Sequence, residues 1–297
     1  MAKSSPASII AAMPAYNEEK YIGTMVLKTR QYVDEVIVVD DGSTDGTSEI
    51  ARLAGATVVR HHRNLGYGAA IQSILAEARK KSPDILVLLD ADTQHNPGEI
   101  PDLIKPVSDG YDVVIGSRET TSSTVPRYRR FGQKVILYFT NILAGKRFTD
   151  TECGFRIFSR KAINTLELKE CGMAVSAETI AEAAGKGLKF TQVPVTVTYT
   201  GDGSTLHPLA HGMGVLTRIM AMISERRPLF FFGMGGGILC VLGIIAGVRV
   251  LQLFSGSGVL PVGTALLSAI LLIIGMFSIF AGIILHVLTN RKNGAGH

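Results

Sequence analysis

Pro83-Asp84-Ile85-Leu86-Val87-Leu88-Leu89-Asp90-Ala91-Asp92-Thr93-Gln94-His95 decides how the rest of the chain is read. The unbroken Ile, Leu and Val run after Asp84 predicts a strand buried on both faces of a parallel sheet. The run halts at an acid, an alanine and a second acid. Residues i and i+2 of an extended chain point the same way, so strand geometry continued through Ala91 projects Asp90 and Asp92 together from the carboxyl edge of the sheet. Two carboxylates that close repel unless a cation lies between them. A hard divalent ion, Mg2+ or Mn2+, suits oxygen ligands and also binds substrate phosphates. The alternative is an acidic turn whose aspartate caps the next helix.

Similar strands lie upstream. Ser8–Met13 is short and apolar and ends at Pro14-Ala15-Tyr16-Asn17-Glu18-Glu19, where Pro14 is not expected to continue a central ladder and the polar residues open a helix over Lys20–Tyr32. Val36–Val39 is a second buried strand ending in Asp40-Asp41-Gly42-Ser43-Thr44-Asp45-Gly46-Thr47, and a helix Ser48–Ala54 follows. Thr57–Val59 makes a third strand, then Arg63-Asn64-Leu65-Gly66-Tyr67-Gly68-Ala69-Ala70 leads into a helix reaching Lys81. Beyond the Asp90 strand come a helix from about Glu99 to Ser108 and a strand Asp112–Gly116. Strands alternating with helices predict an α/β fold, a mostly parallel sheet with helices on both faces, and ligands outside the carboxyl ends of its strands. There the first, second and fourth strand ends bring together Tyr16, Asp40, Asp41, Asp90 and Asp92. Asp41 is placed to accept from a nucleobase N–H, Tyr16 to stack on or flank the base, and a metal at Asp92 to neutralise a diphosphate. Asn64, Gly66 and Gly68 would let backbone approach the ligand. The chain lacks G-x-x-x-x-G-K-[ST], and no G-x-G-x-x-G follows the first strand, so P-loop and dinucleotide readings lose their support.

Up to about Arg227 the composition is that of a soluble protein; beyond it, charge nearly disappears. Leu229–Val248 and Val259–Leu285 contain no charged residue, and each is long enough to cross a hydrocarbon core that needs roughly 20 helical residues. Arg226 and Arg227 precede the first run, Arg291 and Lys292 follow the second, and Ser255–Gly258 between them is uncharged. The positive-inside bias therefore predicts an integral membrane protein with both hairpin ends and the N-terminal domain in the cytoplasm. Leu209, Met213, Leu216, Met220 and Ile223 recur at spacings of three and four, which predicts an interfacial amphipathic helix or a helix packed on the domain. The expected boundaries are a catalytic domain 1–206, a juxtamembrane segment 207–227, and a hairpin with a short basic tail 228–297. The net charge of +5 suits anionic lipid or phosphorylated substrates, and no dense Lys/Arg run with aromatics argues for nucleic acid. Cys153, Cys171 and Cys240 lack zinc-like pairing and are expected as free thiols in a reducing compartment; the opening residues do not read as a signal peptide. Gly233, Gly237 and Gly243 would support helix association and a homo-oligomer.

Pro14-Ala15-Tyr16-Asn17-Glu18, Asp40-Asp41-Gly42-Ser43-Thr44-Asp45 and Asp90-Ala91-Asp92-Thr93-Gln94-His95, in that order and spacing, resemble the family 2 glycosyltransferases of GT-A fold. Gly116-Ser117-Arg118 and Asp150-Thr151-Glu152-Cys153-Gly154-Phe155-Arg156 resemble the branch that makes dolichyl- and other polyprenyl-phosphate sugars, leaning toward a UDP-linked hexose with GDP-mannose as the other donor. The resemblance implies that Pro14, Ala15, Tyr16, Glu18, Asp40, Asp41, Asn64 and Ala91 bind the nucleotide sugar. It implies that Asp90, Asp92 and Gln94 hold a metal, and that Arg118 and Arg129 face the acceptor phosphate; Arg129 equally fits an interfacial basic cluster on lipid headgroups, and Arg156 either meets that phosphate or structures its loop. Asp90, Asp92 and Arg118 are then the catalytic set. Two departures stand out. Where relatives place an Arg and a Lys after the last strand, Thr200–Leu206 carries no cation, which leaves Arg118, Arg129 and Arg218, or His207 and His211, to replace them. Ala174 stands where some mannose synthases have Lys.

The implied reaction is attack of a polyprenyl monophosphate on the anomeric carbon of a nucleotide sugar, with inversion. Because the nucleophile is already an anion, no strong base is needed, and Glu178 is expected to order a loop rather than take a proton. The rival readings are a processive polysaccharide synthase, whose Q-x-x-R-W segment is absent from a chain with no Trp, and a membrane-anchored nucleotide-sugar-binding subunit without activity.

Overall fold

The computed structural model describes residues 7–118, 127–145, 147–198 and 208–294; the side chains of 127–131, 208–212 and 290–294 lie outside that description. Seven strands among the described residues form one sheet: β1 (Ile9–Ala15), β2 (Glu35–Asp40), β3 (Thr57–Arg60), β4 (Ile85–Leu88), β5 (Val113–Arg118), β6 (Arg156–Ser159) and β7 (Phe190–Val195). Their order is β3-β2-β1-β4-β6-β5-β7, parallel except for β6, which runs antiparallel to both neighbours. The expected mostly parallel sheet is thus observed. The β6 reversal was not anticipated, because a four-residue strand, Arg-Ile-Phe-Ser, shows no periodicity long enough to read.

Pro14 does lie within a central strand, contrary to expectation, with β1 paired to β2 as far as Ala15 and Asp40. Ala12 accepts from Leu89 N–H on the β4 side, so the missing N–H of Pro14, two residues on, also faces that side. There β4 pairing has already stopped at Leu88, so no ladder bond is lost.

Two apolar layers cover the sheet. Alternation along β1 sends Ile10 and Ala12 to one face with Ile71 and Ile74 of helix α3 (Tyr67–Lys81), and Ala11, Met13 and Ala15 to the other with Ile22, Met25 and Val26 of α1 (Ile22–Thr29). Helices α2 (Thr47–Leu53) and α4 (Ile100–Ser108) lie on the α1 side; α6 (Arg160–Thr165) and α7 (Val175–Gly185) lie on the α3 side, where Ala144 of α5 (Arg127–Ala144) also packs. Each fully buried Leu, Ile or Val contributes about 2 kcal/mol, so the Ile85–Leu89 run anchors the sheet centre. The strand itself ends at Leu88, and residues 91–93 form bends, with Thr93 at φ 66°.

The chain divides into two compact units, Met1–Ile219 and Met220–His297. Helix α8 (Pro208–Arg226) spans the division. Its buried stripe is Val215, Ile219, Met222 and Ile223, whereas Met213 is 62% exposed. The stripe read from sequence is therefore rotated toward Val215, Ile219 and Met222: the apolar side of α8 is broad, and spacing alone does not say which part of it packs. In the second unit, α9 (Pro228–Ser257) and α10 (Val262–Gly294) are both long and apolar enough to cross a membrane by length and composition. They pack closely: a Cβ on Gly236 would sit 2.5 Å from the Gly275 carbonyl oxygen, and Ser268 Oγ donates to the Gly243 carbonyl at 2.8 Å. Gly243 thus serves the hairpin itself, alongside Gly236, while a Cβ on Gly237 would meet nothing.

Candidate active site

Because β1 lies between β2 and β4, their carboxyl ends sit side by side, and Tyr16, Asp40, Asp41 and Asp90 emerge at one edge of the sheet. Tyr16 is 46% exposed there, while Pro14, Ala15 and Ala91 are buried beneath it. Asn64 is exposed on the neighbouring loop.

The two adjacent aspartates of β2 differ. Asp40 is fully buried; Ser43 N–H donates to its Oδ1 at 2.8 Å, the Ser48 hydroxyl donates to Oδ2, and Arg60 approaches at 3.5 Å. Expected on the nucleotide, Asp40 instead ties the Gly42–Ser48 turn to the sheet. Asp41 accepts from Leu65 N–H at 2.9 Å and Gly66 N–H at 2.8 Å and meets His61 Nδ1 at 2.6 Å. A carboxylate offers about four acceptor positions, so one is left, on a side chain that is itself buried at 4% exposure. Gly66 and Gly68 are glycines for a reason other than ligand approach. A Cβ at either would lie within 2.5 Å of the Cys171 or Glu170 carbonyl oxygen, so they admit the 170–172 backbone.

Asp90 and Asp92 lie just after β4. Tyr67 Oη donates to Asp90 Oδ1 at 3.1 Å, His95 Nδ1 stands 3.7 Å from Oδ2, and a Cβ on Gly154 would overlap the same oxygen. Asp90 is thereby seated in a notch with one orientation. Asp92 accepts from Gln94 through its backbone N–H at 3.0 Å and its side-chain amide at 2.7 Å. Burial raises the Asp92 carboxyl, the Gln94 N–H pulls it down, and the Asp90 charge raises it further. Glu18 joins this cluster: burial first, then the charges of Asp92, Asp45 and Asp90, push its carboxyl up to about 7. The charges of Asp90 and Asp92 beside Glu18 make this rim negative. Among the described residues no group of three His, Cys, Asp or Glu side chains forms a closed metal cage. Two oxygen-donor carboxylates with open positions nevertheless fit a hard divalent ion that completes its shell with substrate oxygens.

The expected acceptor arginines fare unequally. Arg118, at the end of β5, forms a two-pronged pair with Asp150, Nε to Oδ2 at 2.6 Å and NH2 to Oδ1 at 2.8 Å. Burial pushes the Asp150 carboxyl up, but the Arg118 hydrogen bonds and charge outweigh it and hold the group below its ordinary range. Of the two readings of Arg156 the acceptor one is overturned and the loop one stands: it is 3% exposed, and its guanidinium donates to the carbonyls of Cys153, Ser176 and Thr151 at 2.9, 3.2 and 2.8 Å. It shapes the loop and does not face a ligand. The side chains of Arg129 and His211, and the whole of 199–207, lie outside the described residues. Glu178 is buried and accepts from Lys169 and Glu170 N–H at 3.1 and 2.9 Å, the loop-ordering role expected of it. Sequence reasoning missed Tyr67, His95 and Gly154 as partners of Asp90. Tyr67 and His95 sit in stretches singled out for other reasons, but nothing in their spacing says that they converge.

Residues 10–166 match glycosyl transferase family 2. The dolichyl-phosphate hexose transferase of Haloferax volcanii is 32% identical over 74% of this chain and 95% of its own. The UDP-N-acetylglucosamine–dolichyl-phosphate N-acetylglucosaminyltransferase of Methanococcus voltae is 31% identical over 65% and 86%. Among solved structures, glucosyl-3-phosphoglycerate synthase from Mycobacterium tuberculosis, in a complex with Mn2+, UDP and glucosyl-3-phosphoglycerate, superposes with a TM-score of 0.57 at 24% identity, over 74% of this chain and 80% of that one. That likeness shows the fold, GT-A.

Proposed function

From a chain that belongs to glycosyl transferase family 2 and is a glycosyltransferase, we propose that it transfers a hexose from a nucleotide sugar, UDP-linked foremost and GDP-mannose second, to the phosphate of a polyprenyl carrier at a membrane surface. One observation carries the reading. Asp41, Asp90, Asp92 and Glu18 converge on the carboxyl edge of a GT-A sheet, in a chain whose relatives are named for dolichyl-phosphate glycosyl transfer.

Tyr16 and the remaining acceptor position of Asp41 are placed for the base. Asp90 and Asp92 would hold Mg2+ or Mn2+, which supplies positive charge to the departing diphosphate when bound; Gln94 orients Asp92 through its two hydrogen bonds. A phosphate oxygen of the acceptor attacks the anomeric carbon from the face opposite the diphosphate, the bond to that diphosphate breaks, and the nucleoside diphosphate departs with the electron pair. The configuration inverts, so an α-linked donor yields a β-linked lipid product. No proton has to be removed from a phosphate anion. Glu178, already accepting two backbone N–H groups, is accordingly not needed as a base.

The membrane context comes from α9 and α10, with Arg226 and Arg227 before them and Arg291 and Lys292 at their end, which supports a cytoplasmic catalytic unit. The test is transfer of radiolabel from a panel of UDP- and GDP-sugars to polyprenyl phosphate in detergent. Labelled lipid with one donor, lost in Asp92→Ala with the fold intact, is expected. No labelled lipid with any donor rejects the acceptor, and full turnover of Asp92→Ala rejects the metal.

A further inference from the structure

We propose that the pocket between residues 169–174 and Gly214, Val215 and Arg218 of α8 seats the phosphate and leading isoprene units of the acceptor; the assignment rests on the polyprenyl phosphate reading above. The cavity measures about 460 Å3, within the range of roughly 300–1,000 Å3 typical of small-ligand sites. Its floor is apolar, from Met173, Ala174 and Val215. Gly172 and Gly214 also line it, and a Cβ built on either would find no atom within 4 Å, so both glycines leave open space.

The rim is cationic. Arg218 grips Glu170 through Nε at 3.0 Å and NH2 at 2.8 Å, and the Arg218 side chain is 61% exposed against 13% for Glu170. The pair therefore shows more of its guanidinium than of its carboxylate, although Glu170 also lines the pocket. Lys169 adds a second cation beside it. An apolar floor under a cationic rim matches a molecule that is a phosphate at one end and a hydrocarbon from there on. These cations also supply what Thr200–Leu206 lacks in sequence, while Arg156 is consumed by buried carbonyls.

The wall is built, not incidental. Glu178 accepts from the backbone of Lys169 and Glu170, Gln72 Nε2 donates to the Glu170 carbonyl at 2.9 Å, and Gly68 N–H donates to the Cys171 carbonyl at 2.8 Å. Tyr67, next to Gly68, is the residue whose hydroxyl holds Asp90. A single residue thus separates the pocket wall from the acidic rim where the anomeric carbon must lie.

Cys171 lines the pocket and is exposed, Cys153 is buried and Cys240 half-buried, so in a Cys240→Ala background alkylation of Cys171 reports occupancy. In the full chain in detergent, farnesyl phosphate is expected to slow maleimide labelling of Cys171 about tenfold at ten times its dissociation constant. Farnesol and inorganic phosphate alone should protect little, and Arg218→Ala and Lys169→Ala should each weaken protection by farnesyl phosphate. Gly214→Leu, which fills open space on a helix, should raise KM for lipid phosphate about tenfold while leaving KM for the donor and the melting midpoint unchanged. Turnover on lipid phosphate with Cys171 unprotected and an unaltered Gly214→Leu KM overturns the pocket and leaves the reaction standing. Equal protection by farnesol, or by inorganic phosphate, overturns the assignment to a lipid phosphate. Protection by farnesyl phosphate with no lipid product from any donor upholds the pocket and sinks the reaction.

Discussion

At the scale of single residues, the candidate chemistry depends on how each carboxylate is supported. Asp90 is oriented by the Tyr67 hydroxyl, and Tyr67→Phe deletes that donor while keeping the ring. Partners that orient a ligating carboxylate are worth roughly 10–100-fold in metal affinity. Mn2+ titrated calorimetrically into the UDP complex should bind at least about tenfold more weakly in this variant, and equal affinity would show that the hydroxyl does not position Asp90. Glu18 gives a pH signature. In the metal-free fold it keeps its proton up to about 7, while the unfolded chain releases it in the ordinary carboxylate range. The folded state therefore loses relative stability as pH climbs from that range to about 7 and loses no more above it. The metal-free melting midpoint should fall across that window, and Glu18→Gln should flatten the fall; a pH-independent midpoint counts against a shared negative field. The acids themselves were legible in sequence as strand-end residues. Tyr67 and Gly154 were not, since each reaches Asp90 only through tertiary contact.

At the scale of elements, the turn leading into β6 matters most. It brings Gly154 against Asp90, Asp150 onto Arg118, and Arg156 beneath both, so a strand invisible to pattern reading organises half of the site. Arg156→Ala would leave three carbonyls without their donor and should lower stability by about 3 kcal/mol, read as a shifted urea midpoint by circular dichroism. A stable variant defective only toward lipid phosphate would restore Arg156 to the acceptor side. The strands legible in advance, β1 to β5 and, from Gln192 on, β7, are those with β-branched or leucine runs bounded by polar turns. Helices α6 and α7 were not read because six residues of α6 hold too little period and α7 is buried on nearly every side; α5 does carry an apolar stripe and was missed all the same.

At the scale of the whole molecule, a catalytic sheet and an apolar helical hairpin share one chain. In the proposed orientation the Ser255–Gly258 link lies outside the cell. In a background with the native cysteines replaced by alanine, Ser257→Cys should react in intact cells with a membrane-impermeant maleimide; reaction only after lysis would invert the topology. The sequence by itself determined the alternation of strands and helices, the acids at strand ends, and two segments long and uncharged enough to span a bilayer. These are properties of runs and periods, which local steric and solvation preferences impose wherever the chain goes. Only the tertiary structure decided that Asp40, Asp41 and Arg156 turn inward while Asp92 stays half-exposed, which face of α8 packs, and that β6 inserts backwards between β4 and β5. Those outcomes depend on which distant backbone donors and carbonyls arrive beside a given side chain. A charge whose hydrogen bonds are filled by such neighbours becomes structure, and one left partly unfilled becomes a site.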